Sequence, residues 1–191
     1  MHRRWTMTAA AVVAGLAAVL VAGQVAAAPR TIPDRVMLQA EDLGGAVPGP
    51  VADDLAFQLL PQPCAGVPVP QPRASRGLSA DHGPRARVHE NVARYPRAGA
   101  KAYLDTLKAQ LATCRAGGGD NGFRTVAEDH LGPDTVLFEY QYDEGDRWVA
   151  YVAAAVGRYV VVVLVTDPVV GAGDLTLANT IASAAIRRAA A

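Results

Sequence analysis

The side chains able to do chemistry in this 191-residue chain are few and scattered. Its serines are Ser75, Ser79 and Ser183, none of them in the G-x-S-x-G turn that presents a hydrolase nucleophile. His82, His89 and His130 show no H-E-x-x-H pattern and no i, i+4 pair, so they do not read as metal ligands. Gly117, Gly118 and Gly119 follow a helical stretch instead of joining a strand to a helix N-terminus, which excludes a phosphate loop. Asp129, Asp134, Glu139 and the 143–146 cluster supply carboxylates, and glycosidase chemistry needs two of them facing across a cleft. Residues 143–146 read as a solvated turn, and the twelve-residue calcium-loop spacing is missing. No cofactor, no metal and no catalytic residue are expected, so the chain reads as a non-enzyme.

Glu90 resists a bland reading. It sits between Val88 and Val92 on the apolar face of an alternating segment, and a buried carboxylate is costly unless it is paired. Either a strand shift exposes it or it is a polar group lining a groove, with Arg87 or Arg94 as partner. Tyr140, Tyr142, Trp148 and Tyr151 add amphipathic aromatic surface on neighbouring segments, the chemistry a small-molecule cleft uses. The candidate ligand-binding set is therefore Arg87, His89, Glu90, Tyr140, Tyr142, Trp148 and Tyr151.

The elements that must position these residues are legible from periodicity. Residues 36–43 can form a short helix stopped by Gly44 and Gly45. Residues 46–83 carry seven prolines from Pro48 to Pro72, which breaks regular structure; one short strand over 55–60 is expected in a long surface excursion. Residues 85–95 alternate as a half-buried strand. Pro96 opens a helix in which Ala100, Tyr103, Leu104, Leu107, Leu111 and Cys114 form one stripe, ended by the three glycines. Strands follow over 123–130, 135–142, 147–156 and 158–166, joined by turns too short for anything but antiparallel pairing. Val160 to Val165 are apolar on both faces, so that strand should be central. Asp174 caps a closing helix over 175–188. The fold class is α+β: an antiparallel sheet of five to six strands flanked by helices, stapled by one disulfide.

The first 28 residues read as a secretory signal. Arg3 and Arg4 precede an apolar run over 9–23, and Val25 and Ala27 supply small side chains at peptidase spacing. Residues 29–35 then form a flexible lead and 36–191 a single domain. A retained anchor is the alternative, though the Ala- and Gly-rich run makes a weak span, and no stable membrane insertion is expected after cleavage. In an oxidising compartment the cysteine pair, without the close C-x-x-C spacing of redox or zinc sites, is most simply a disulfide between Cys64 and Cys114. It would clamp the proline-rich excursion onto the helix. Cleavage removes Arg3 and Arg4 and no acid, leaving 16 basic against 18 acidic residues, a balance of about −2. Such a body has no electrostatic reason to seek nucleic acid.

A set of short segments carries a family likeness. They are Met37-Leu38-Gln39-Ala40-Glu41-Asp42-Leu43, Pro63-Cys64, Val88-His89-Glu90-Asn91-Val92 with Tyr95-Pro96, the helix from Ala100 through Leu111 to Cys114, Leu131-Gly132-Pro133-Asp134, and the Val-rich strand before Asp167-Pro168. In element order, cysteine placement and turns, residues 36–188 resemble the PknH-type extracellular sensor-domain family of actinobacteria, found outside membrane serine/threonine kinases and as secreted or lipid-anchored proteins. The resemblance implies an antiparallel sheet flanked by helices, with a groove for an unidentified extracellular ligand and no catalytic residues. The chain departs from it in carrying one cysteine pair where members can carry two, and in lacking a tryptophan between Gly44 and Cys64. The expectation is a secreted, non-enzymatic sensor-type domain that binds an unknown small molecule or a cell-envelope component. A structural envelope protein and a secreted hydrolase are the rival readings.

Overall fold

The computed structural model describes residues 31–116, 122–141, 147–167 and 173–191. Two 3-10 turns, Asp34–Val36 and Ala40–Leu43, open this part of the chain, and Gly44 closes the second with a left-handed φ of 65°. Residues 36–43 are thus two 3-10 pieces around an extended Met37, where one short helix was expected. Six strands follow: β1 (Ala74–His82), β2 (Ala86–Arg94), β3 (Gly122–Glu128), β4 (Thr135–Gln141), β5 (Trp148–Val156) and β6 (Tyr159–Thr166). Two long helices complete the fold, α1 (Gly99–Ala116) between β2 and β3 and α2 (Leu175–Ala190) after β6. The strands form one antiparallel sheet in the order β1-β2-β6-β5-β4-β3. The Val-rich β6 occupies the centre, as its two-sided apolar character requires.

The sheet is covered on both faces. On one lie α2 and the 3-10 turns: Met37, Leu38, Leu43, Ile181 and the alanines of α2 pack against Leu78, Val88, Val92, Val161 and Val163. Small alanine side chains let α2 lie close to the Val-rich strands. Asp174 caps this helix by accepting the Leu177 N–H at 2.9 Å. Arg188 in its last turn pairs with Asp42 and Glu41, tying the helix end to the second 3-10 turn. On the other face lies α1, with Tyr103, Leu104, Leu107 and Leu111 against Ala93, Phe138, Tyr151, Val162 and Leu164.

Residues 46–73 form a strap that crosses this second face. Its Phe57, Leu59, Leu60 and Val69 join the core of α1. The Cys64–Cys114 disulfide fastens it to α1, with the two Cα atoms 5.7 Å apart. Four segments here differ from expectation. Residues 55–60 are not a strand, because the sheet beneath them offers a face and no free ladder edge. The end of the presumed excursion is instead β1, paired residue for residue with β2 from Ala74↔Arg94 to His82↔Ala86. Covered by the strap, β2 is buried on both faces over most of its length instead of being half-buried. Pro96 begins a turn closed by the Gly99 N–H, and α1 starts three residues later than expected. The expected glycine stop at 117–119 and the turn at 143–146 lie outside the described residues, as does the N-terminal signal.

Candidate functional site

Strand alternation decides where the candidate side chains go. Tyr140 on β4 and Tyr151 on β5 share the α1 face with Phe123 on β3. Phe123 stacks on Tyr140 at 4.5 Å between ring centroids, and Phe138 stacks on Tyr151 at 4.9 Å. The strap arches over these rings and borders a half-open cavity of about 350 Å³, lined by Phe123, Tyr140, Tyr151, Gln58, Gln62 and the 61–66 turn. This volume lies at the small end of the range for ligand pockets, roughly 300–1,000 Å³.

Phenol hydroxyls and the helix hold the roof in place. Tyr103 donates to the Pro61 carbonyl at 2.8 Å and Tyr151 to the Gln58 carbonyl at 3.3 Å. Gln110 of α1 accepts the Cys64 N–H at 3.2 Å. Gln58 accepts the Gln62 N–H, and the Gln62 amide donates to the Val67 carbonyl, so the two glutamines brace the roof at its exposed side. Burial pushes the Tyr151 hydroxyl far above its ordinary pKa, and it stays a neutral donor. The cavity thus combines apolar ring faces with amide and hydroxyl groups at its edge.

Arg87 and His89 lie on the same face of the sheet but on β2, three strand spacings from Tyr140, about 14 Å. They border a separate cavity of about 290 Å³ with Ser79 and Asp81 beneath the 47–52 stretch of the strap. The Ser79 hydroxyl lies 2.6 Å from His89 Nδ1. Burial, and to a lesser degree the Arg87 charge, lowers the His89 pKa to about 4, so the ring is neutral at pH 7. Asp81 is engaged by Arg87 at 2.7 Å. Among the described residues no carboxylate is hydrogen-bonded to the His89 ring, so the orienting third member of a nucleophilic triad is not assembled there.

Glu90 points to the opposite face and lines no groove. It is wholly buried under Leu38, whose N–H donates to Oε2 at 2.9 Å, while Oε1 has no partner among the described residues. Burial raises its pKa to about 7, against the opposing pull of the Leu38 bond. The expected partners are corrected: Arg87 is on the other face with Asp81, and the charges that act on Glu90 are Asp42, Arg188 and Arg76. Trp148 is also on the α2 face of the sheet. Its ring lies 4.2 Å from the Arg124 guanidinium, which pairs with Glu139 at 2.5 Å. Tyr142 lies outside the described residues.

The seven candidates therefore do not form one site. Tyr140 and Tyr151 share one cavity, Arg87 and His89 a second, and Glu90 and Trp148 are turned away from both. The residues that sequence reading passed over are Gln58, Gln62 and Phe123. No periodic signal marks the first two, because they sit in an irregular strap; a Phe opposite Tyr140 becomes visible only with the β3–β4 register. Among the described residues no cluster of three or more His, Cys, Asp or Glu could hold a metal ion. No helix among them is long and apolar enough to cross a membrane. No protein-family model matches the chain, and no curated protein matches it.

Proposed function

We propose that the chain is an exported, non-enzymatic sensor-type domain that binds a small ligand between its strap and the aromatic face of its sheet. One observation carries this reading: the cavity of about 350 Å³ in which Phe123, Tyr140 and Tyr151 lie beneath a disulfide-fastened roof bearing Gln58 and Gln62. Stacked rings favour a flat or apolar moiety, and the amides favour a ligand with hydrogen-bonding groups at its edge. A disulfide suits a protein that works in an oxidising compartment. The resemblance of residues 36–188 to PknH-type sensor domains supports the same reading, with a cell-envelope component as the ligand class.

Thermal-shift screening against lipid, glycan and peptidoglycan fragments tests it. A ligand at a hundred times its Kd stabilises the fold by about 2.7 kcal/mol and raises Tm. Tyr140→Ala, at a half-buried position, should abolish the shift, while Trp148→Ala on the opposite face should preserve it. Silence across all three fragment classes, or hits indifferent to Tyr140→Ala, would overturn the proposal.

A further inference from the structure

A third cavity, of about 640 Å³, opens on the α2 side of the sheet, where β2 ends, β5 turns into β6 and the first 3-10 turn passes. Three arginines line it: Arg35 after Asp34, Arg94 at the end of β2 and Arg158 beside Gly157 in the β5–β6 turn. Arg35 and Arg158 are exposed. Arg94 is only 8 % exposed, and its Nε is buried with no hydrogen-bond partner among the described residues. A guanidinium does not lose its proton in a protein, so burial cannot be relieved by neutralisation.

The nearby carboxylates are committed elsewhere. Asp34 pairs with Arg76, Asp42 and Glu41 hold Arg188, and Glu90 takes the Leu38 N–H. No carboxylate among the described residues comes within ion-pair distance of Arg35, Arg94 or Arg158. The C-terminal end of α2 reaches the cavity through Ala189 and Ala190. Its negative pole is worth about half a charge, less than the charge of the buried Arg94 guanidinium alone. Arg187 and Arg188 in its last turn already draw on that pole.

We propose that this cavity is an oxyanion-binding site, which receives the phosphate or carboxylate group of a ligand on the Arg94 guanidinium, with Arg35 and Arg158 at its rim. The fork of N–H donors matches both anions, and such charge-assisted bonds are the strong class of hydrogen bond. An oxyanion there accepts from the Arg94 guanidinium and supplies a countercharge that no carboxylate among the described residues provides within ion-pair distance. The site is on the face opposite the aromatic cavity, and the proposal stands whether or not that cavity binds anything.

Calorimetric titration of the purified chain with inorganic phosphate, and separately with succinate, at ionic strength held constant by sodium chloride, tests this. Saturable binding of one anion per chain with a Kd below about 10 mM is expected for at least one of the two. The preferred anion identifies the group. Arg94→Gln should weaken binding about tenfold or more. Arg158→Gln, at an exposed turn, should weaken it severalfold and decides the matter alone if the Arg94 variant does not fold. Arg124→Gln, at the far edge of the sheet, should leave binding unchanged. Absence of saturable binding of both anions below that concentration overturns the proposal, as does binding that persists unweakened in every folded variant of Arg94 and Arg158.

Discussion

His89 and Glu90 are chain neighbours on β2 whose side chains enter opposite cores, and burial disfavours the charged form of each. Their pKa values consequently move in opposite directions, His89 from 6.5 to about 4 and Glu90 from 4.5 to about 7. For Glu90 the folded state holds its proton more tightly, so its contribution to stability is intact below about pH 4.5, falls as pH rises towards 7, and is level above. For His89 the folded state resists protonation, so stability is reduced below about pH 4 and recovers as pH rises to about 6.5. Each effect is about 3 kcal/mol across its window, and between pH 4.5 and 6.5 the two largely cancel. Urea midpoints between pH 4 and 8 should expose them separately. Glu90→Gln should make stability rise with pH relative to the parent chain, and His89→Asn should make it fall. A Glu90→Gln profile parallel to the parent would show that the buried carboxyl does not titrate near neutrality. That Glu90 is out of place on an apolar face was legible in the alternation. Its acceptor role towards Leu38, 52 residues away, was not, because such a contact exists only after the 3-10 turns dock.

At the scale of elements, hydrophobic periodicity located α1, α2 and β2 to β6 to within a few residues. It failed at β1 and in the strap. β1 reads Ala-Ser-Arg-Gly-Leu-Ser-Ala-Asp-His, without a single β-branched residue, and is held by its ladder to β2 and not by propensity. Residues 55–60 have the apolar content of a strand but spend it on packing downwards through Phe57, Leu59 and Leu60. Gly77 is where these two segments meet. A Cβ there would lie 2.8 Å from the Val51 side chain and 3.2 Å from that of Leu59. Gly77→Ala should therefore lift the strap and cost about 1–3 kcal/mol, measured as a lower urea midpoint, with the sheet signal in circular dichroism retained. An unchanged midpoint would mean that the strap does not bear on β1.

At the scale of the whole molecule, the disulfide joins the least regular segment to one of the most regular. The loop it closes spans 50 residues and contains β1, β2 and most of α1. Chain entropy assigns such a link roughly 4 kcal/mol. The double variant Cys64→Ser, Cys114→Ser should lose stability on that order in urea denaturation. It should also weaken the binding of any ligand of the aromatic cavity, since the disulfide is one of the contacts that hold the roof over it. Retained stability would show that Tyr103 and the strap's own apolar side chains suffice to hold it.

Periodicity, turn residues and a lone cysteine pair were enough to establish an α+β body, a central Val-rich strand, helices on its flanks and a clamp on the proline-rich stretch. These are local properties, written in spacings of two and 3.6 residues and in the scarcity of thiols. The partition of Arg87, His89, Glu90, Tyr140, Tyr151 and Trp148 among separate places was decided by tertiary structure alone. Which strands adjoin, which face of each is covered, and which buried charge is left without a partner depend on register and on contacts between distant segments. The arginines at positions 35, 94 and 158 converge for that reason, across a separation that no local pattern spans.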